Sequence, residues 1–337
     1  MKALSASHYL ATDKNKSKEG RQLSPFKVMV RKEVSDYVRS WRFILLLALV
    51  VLTFFASMYI SMSNIRASFT NSNDPDHAFL YLKLLSATDG SMPPFHVLMS
   101  FLAPLLGITM GFDAINSEQN SGSLTRLLAQ PIYRDNILLA KFYSALLIIS
   151  TLFISLTLLM IGGGLLYTGV RIEPQELLRI LGFALLTMVY VGFYLSLSIL
   201  FSIAFRQAAT SALTALGIWL FFTVFYPILV NLIIRAFLPD PAYLTQSQIM
   251  GYNELIMDIM RIAPGQLYSD AATTMLMPSI RSLGPMSMEQ LSGAIPSPLP
   301  FRESLVIVWP QLSGLLAGSI ACFALAYYIF MRREIRS

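Results

Sequence analysis

Between two long apolar runs the chain carries the segment GFDAINSEQNSGSLTRLLAQPIYRDNILLAKF, Gly111–Phe142. It sets Asp113, Glu118, Arg126, Arg134, Asp135 and Lys141 among amides, hydroxyls and a glycine. Acids and bases arranged this way can dock a second surface through charge-assisted hydrogen bonds, worth about 1.5–3 kcal/mol each. A turn of about five polar residues would join the flanking runs, so a longer patterned insertion calls for a role of its own.

The rest of the sequence offers no stronger chemistry. Cys322 is the one cysteine, which excludes an intrachain disulfide and a multi-cysteine metal site. His8, His77 and His96 are too scattered to form a metal cluster. The phosphate-binding G-x-x-x-x-G-K-[ST] loop is absent, and no Gly-Lys pair occurs anywhere. QLSG occurs twice, at Gln290–Gly293 and Gln311–Gly314, but on segments expected to be outside or beside the last apolar run, where ATP could not be met. No serine or threonine in the apolar runs has an embedded Asp or His as a base. Seven methionines between Met250 and Met288 could in principle pass Cu(I). Filling irregular apolar contacts is the plainer use of that side chain. The expectation is therefore no catalytic residue, no metal and no cofactor on this chain.

These residues must be positioned by elements that sit in a membrane. Of 337 residues, 55% are hydrophobic and 13% charged, against about 25% charged in soluble domains. Mean hydropathy is +0.60. Six stretches are long and apolar enough to cross a core about 30 Å thick: Phe43–Ser63, Phe95–Gly111, Ile137–Ile161, Leu181–Phe205, Ala208–Ile234 and Leu305–Phe330. The fold class is therefore an all-α polytopic membrane protein. Pro104 and Gly107 predict a kink or break in the second stretch, and Pro227 with Asn231 an irregularity in the fifth. With both termini inside, the inner segments hold about 17 of the 25 basic residues, as the positive-inside rule requires. The net charge of +6 is then a mark of topology rather than of nucleic-acid binding. The expected location is the cytoplasmic (inner) membrane, multi-pass, with cytoplasmic termini.

Residues 1–24 read as a flexible cytoplasmic tail. Over residues 25–42, Phe26, Met29, Val30, Val34, Tyr37, Val38 and Trp41 recur at helical spacing, with Lys27, Arg31, Lys32, Asp36 and Arg39 opposite. That pattern predicts an amphipathic helix in the inner interface. Residues 43–337 form the six-span domain, with 112–136 as an inner loop and 236–303 as an outer insertion. Within the insertion, Ile249, Tyr252, Leu255, Ile256, Ile259 and Met260 follow a helical period, and Leu267, Ala271, Met275 and Leu276 mark a second piece. Both are expected to cap the outer mouth. Lys141, one turn inside the third span, is expected to snorkel to the inner face.

In the inner loop, Gly122 divides two short helical pieces. Ser123 can cap the second, whose Leu124, Leu127 and Leu128 form an apolar stripe suited to lipid. Asp135 can cap the third span beside its positive end. Acids are poor guests on an anionic leaflet, which favours a protein partner for the first piece. The joint pattern of Asp113, Glu118, Gly122-Ser123-Leu124, Leu127-Leu128, Pro131, Arg134, Ile137-Leu138 and Lys141 resembles the loop of ABC-2-type permeases, close to the branch that includes the nitrous oxide reductase maturation permease. The resemblance extends loosely over the whole chain.

That resemblance implies a coupling helix seated in a cleft of a separate, stand-alone ABC ATPase, which would hold the ATP and magnesium. By this carry-over Asp113, Ile115, Glu118, Gly122, Ser123, Thr125 and Arg126 are contact positions, with a second contact around Arg206. It implies the permease subunit of an ABC exporter, working beside a second permease copy or a homologous permease in the lipid bilayer. Two other readings use the same features. One is a non-transporting ABC complex that relays ATP-driven motion to an extracytoplasmic partner. The other is a secondary transporter, which the absence of charge from the span cores disfavours, although a sodium site of carbonyls and hydroxyls would need none.

Overall fold

The computed structural model describes residues 25–68, 79–86, 90, 92–129, 133–237, 246–278 and 300–332. The expected N-terminal tail, the NSNDPDH turn and the first QLSG lie outside these residues. The described chain is helical, with six helices long and apolar enough to cross a membrane. In order, α1 is Pro25–Arg39, α2 Trp41–Ser68, α3 Leu80–Ser86 and α4 Phe95–Gly111. Two short helices follow, α5 (Asn116–Asn120) and α6 (Ser123–Leu128). Next come α7 (Arg134–Thr168), α8 (Pro174–Ala204) and α9 (Ala208–Leu220). A π-helical segment, Phe221–Phe225, joins α9 to α10 (Tyr226–Phe237). The last three are α11 (Gln246–Met260), α12 (Pro264–Leu276) and α13 (Phe301–Arg332). The side bearing α5 and α6 is the loop face, and the opposite side is the distal face.

All six apolar stretches are helices, and most run longer than their apolar cores. The third, expected over Ile137–Ile161, is the 35-residue α7. Gly169 ends it in the left-handed conformation at φ 69°. The second is not broken at Pro104; α4 continues through it to Gly111. Gly107 serves packing instead, since a Cβ there would meet Val191 O at 2.6 Å. The bare backbone lets α4 lie against α8. In the fifth stretch the irregularity is the π segment just ahead of Pro227. Proline has no N–H and its ring crowds the carbonyl four residues back, and a widened turn relieves both.

The central element is α8, with α4, α7, α12 and α13 packed around it. Two features of the distal half were not expected from the pattern. The first is α3, a short helix whose Tyr81, Leu82, Leu84 and Leu85 are all buried. Its Tyr81 N–H donates to Glu176 Oε1 at 2.9 Å, at the first turn of α8. The second is the placement of α12. Rather than lying across the mouth, it is inserted between the spans, with Tyr268, Ala271, Ala272, Met275 and Leu276 buried. The Tyr268 ring stacks on Tyr190, halfway along α8, with centroids 4.4 Å apart and planes 8° apart. At the other end Arg179 donates to Met275 O (3.3 Å) and Ser304 Oγ (3.0 Å), tying α12 to α8 and α13. Tyr226 donates to Ile259 O, the last turn of α11, at 2.6 Å. Thus α11 descends and α12 returns, a hairpin dipping to mid-bundle depth. The apolar residues of α12 form one stripe, Leu267, Tyr268, Ala271, Ala272, Met275 and Leu276, and the other side goes inside as well because Asp270 is met by Gln266 at 2.7 Å and Arg261 at 3.5 Å.

Candidate functional site

The loop face is built on the ends of α4 and α8. After Gly111 the chain makes one turn, and the N–H groups of Ile115 and Asn116 donate to Ser202 Oγ at 2.9 and 3.2 Å. That hydroxyl, near the end of α8, satisfies amides that the start of α5 leaves open. The side chain of Asn120 donates to Arg206 O at 2.9 Å, which brings the turn between α8 and α9 against the loop. Gly122 then has φ +68°. The reversal between α5 and α6 is therefore made by a glycine in the region that other residues avoid. Ser123 does not cap α6. Its Oγ, like that of Ser121, donates to Glu118 O at 3.2 Å and binds the two short helices together.

Beneath the loop lies a cluster of four charges. Lys141 of α7 is 4% exposed, Glu33 of α1 is 8% and Glu118 of α5 is 9%. The Lys141 ammonium donates to Glu33 Oε2 at 3.0 Å and to Glu118 Oε1 at 2.9 Å. Lys32, half exposed, adds bonds to Glu33 Oε1 at 2.9 Å and Glu118 Oε1 at 3.0 Å. Two ammoniums balance the two buried carboxylates, which is what burial demands, and Lys32 also meets the exposed Asp36 at 3.4 Å. Burial alone would lower the pKa of Lys32, but the hydrogen bonds and charges of Glu33 and Glu118 outweigh it and hold the ammonium above the ordinary lysine value. Burial first, and then the charges of Glu33, Asp113, Glu118 and Asp36, raise the Tyr37 hydroxyl well above its usual value. It remains a neutral donor, to Met110 O at 3.0 Å. A more exposed pair, Arg42 with Asp113 at 2.7 Å, closes the outer edge. The Arg42 guanidinium also lies 5.0 Å from the Phe112 ring centre.

The expected contact residues therefore divide. Thr125, Arg126 and Arg206 are exposed. Asp113 is half-buried against Arg42, Gly122 supplies the reversal, and Ser123 is half-buried between the pieces. Ile115 and Glu118 are buried. Two local expectations change. Lys141 does not snorkel, because two carboxylates meet its ammonium inside the protein. Leu124 is buried in the protein core instead of anchoring the loop in lipid; Leu127 is half-buried, and the side chain of Leu128 lies outside the described ones. The pattern had also missed Glu33 and Ser202. Glu33 carries a signal, however: it falls four residues after Met29 and four before Tyr37, in the middle of the inward face of α1. An acid on an otherwise apolar stripe calls for a buried base.

Among the described residues no group of three or more His, Cys, Asp or Glu could hold a metal ion. Comparison with known proteins places the chain in a family. The family model described as "ABC-2 family transporter protein" matches residues 28–335. The chain is 25% identical over 309 residues to the "Probable ABC transporter permease protein NosY" of Stutzerimonas stutzeri, covering 90% of this chain and 97% of that protein. It is 27% identical over 242 residues to the protein of the same description from Pseudomonas aeruginosa, covering 71% of this chain and 78% of that one. The six apolar helices, the loop and its match from α1 to beyond α13 all point one way: the chain belongs to the ABC-2 family of transporter proteins, as a membrane-embedded permease subunit.

Proposed function

We propose that this permease is the membrane half of an ATP-driven exporter in the cytoplasmic membrane, with the loop face cytoplasmic and docked on a separate ABC ATPase. The observation that carries this is the two-sided build of the loop. Its inward side is fastened by Glu118 to Lys32 of α1 and Lys141 of α7. Its outward side presents Asn120, Ser121, Thr125, Arg126 and, across the Asn120 contact, Arg206. A partner pressing on the outward side would move α5 together with α1 and α7, since their charges share one cluster. In this reading Thr125, Arg126 and Arg206 meet the ATPase, Gly122 and Ser123 shape the contact, and Asp113, Ile115 and Glu118 hold the loop in place. ATP and magnesium belong to the partner, and a second permease copy or a homologous permease completes the path.

The test is co-purification with a stand-alone ABC ATPase expressed alongside it, together with turnover in proteoliposomes. Arg126→Glu and Arg206→Glu should leave the permease folded and in the membrane, yet lower ATPase association at least about ten-fold, the equivalent of one lost charge-assisted contact. Full association and turnover in the double variant would remove the loop from the coupling path.

A further inference from the structure

As a sequence the segment Gly111–Phe142 is electrically even, with three acids (Asp113, Glu118, Asp135) and three bases (Arg126, Arg134, Lys141). Folding sorts them by sign. Glu118 is engaged beneath the loop by Lys32 and Lys141, and Asp113 by Arg42. Asp135 Oδ1 accepts the Asn136 N–H at 3.0 Å, at the start of α7. Arg126 is placed the other way. It follows Leu124 by two residues, about 200° around α6, and Leu124 is 1% exposed. The arginine therefore leaves α6 on the side opposite its buried leucine. Asn120 draws in a second cation, holding the turn between α8 and α9 through Arg206 O at 2.9 Å.

Arg126 and Arg206 are both exposed, and among the described residues neither has an ion pair. Apart from buried Glu118, α5, α6 and the turn at 205–207 contain no acid. The outward side of the loop is thus cationic, although the segment that builds it is neutral. Two aromatic side chains border it: Tyr133, just ahead of α7, is 79% exposed, and Phe205, just ahead of Arg206, is 37%. Arginine with tyrosine and phenylalanine is the composition that protein interfaces favour.

We propose that the protein surface receiving this loop is acidic, with carboxylates of the ATPase opposite Arg126 and Arg206. The proposal rests on the loop docking to that ATPase, and adds the chemistry by which the permease selects it. A guanidinium takes a carboxylate through two parallel hydrogen bonds, which gives such a pair direction as well as charge. The competing anion is a phospholipid headgroup. Headgroups ring the bundle, whereas the loop sits on the ends of α4 and α8 and α6 turns Arg126 away from its buried side.

The full permease is co-expressed with a stand-alone ABC ATPase, and association is measured in detergent and in vesicles with and without phosphatidylglycerol. Thr125, exposed beside Arg126 and uncharged, carries the test of sign. Thr125→Lys should tighten association about three-fold, and Thr125→Glu should weaken it at least about ten-fold. Arg126→Gln/Arg206→Gln should weaken it about ten-fold. The same pair should flatten its fall between about 0.1 and about 1 M salt, over which the screening length drops from about 10 to about 3 Å. Arg126→Lys and Arg206→Lys keep the charge; a carbodiimide should then join each amine to an Asp or Glu of the ATPase, read by peptide mass spectrometry. If Thr125→Glu bound as tightly as Thr125→Lys while the glutamine pair bound weakly, the loop would dock but on a surface that is not acidic, and the proposal would be overturned alone. If no variant altered association and no link to the ATPase formed, docking through the loop would fall and the acidic surface with it. Loss confined to phosphatidylglycerol vesicles, with association in detergent unchanged, would assign the two arginines to headgroups and overturn the proposal as well.

Discussion

Lys141→Met removes the ammonium on which the loop-face cluster turns. Methionine keeps the length and apolar stem, so packing beside α1 and α5 changes little. Two buried carboxylates, Glu33 and Glu118, are left with Lys32 alone. Breaking a buried ion pair by deleting one partner costs about 3–5 kcal/mol. Lys32 still reaches both acids, which sets the expectation at the lower end, about 3 kcal/mol. Lys32→Met should cost far less, about 1 kcal/mol, because that side chain is half exposed and water takes over part of its role. The cluster also contains its own control. In Glu33→Leu/Glu118→Met/Lys141→Met every buried charge goes at once, and stability should return to within about 1 kcal/mol of the parent or exceed it. Detergent-purified protein unfolded by sodium dodecyl sulfate in mixed micelles gives the three free energies. The triple variant then enters the ATPase association assay, separating fastening from stability. If Lys141→Met cost no more than Lys32→Met, or if the triple variant were the least stable of all, the buried cluster would not be the element that joins α1, α5 and α7.

Other expectations follow from the same geometry. Gly122→Val should cost about 1–2 kcal/mol through the backbone alone, since φ is +68° and a Cβ there meets nothing, and it should appear as faster amide exchange confined to α5 and α6. Gly107→Ala should destabilise the bundle by about 1–3 kcal/mol, because its Cβ would sit 2.6 Å from Val191 O, whereas Gly162→Ala should stabilise by up to about 1 kcal/mol; paired unfolding titrations compare them. Arg179→Met should loosen the end of α12, seen as increased exchange over residues 270–276 with α1 unaffected. Cysteines introduced as Thr125→Cys and Arg171→Cys, in a Cys322→Ala background, should react with an impermeant thiol reagent in intact cells only at position 171; the reverse would invert the topology.

The spans were legible because crossing a bilayer is a property of composition and length, which each run of Phe, Leu and Ile carries by itself. Their ends were not, since Arg134 and Asp135 extend α7 beyond the apolar run, Asp135 lying at the positive end of the helix where an acid is favoured. The two-piece loop and the turn at Gly122 were visible because a glycine between short amphipathic stretches is a local signal. What Glu118 touches was not local: its partner Lys141 is 23 residues on, and Glu33 binds that lysine from 108 residues away. The loop's acids pointed to a protein partner because acids are poor guests on an anionic leaflet, and that argument weighs only the surface and not the bases folded beneath it. The insertion of α12 escaped for a similar reason, since its outcome depends on Tyr190 and Arg179, which belong to another helix. The π segment is also out of reach of periodicity, which assumes one constant turn.

That segment makes the fifth span two rods on one axis. A π turn holds one residue more than an α turn, and each residue of a helix rotates the chain by about 100°. Everything in α10 is therefore phased about 100° away from where α9 would have carried it. Tightening Phe221–Phe225 to α with no residue lost would swing Ile228, Leu229 and Leu232 together about 100° around the axis while Leu213 stayed in place. Deleting one of the five would instead tighten the turn and leave both faces where they are, as removing a washer straightens a shaft without turning the key at its end.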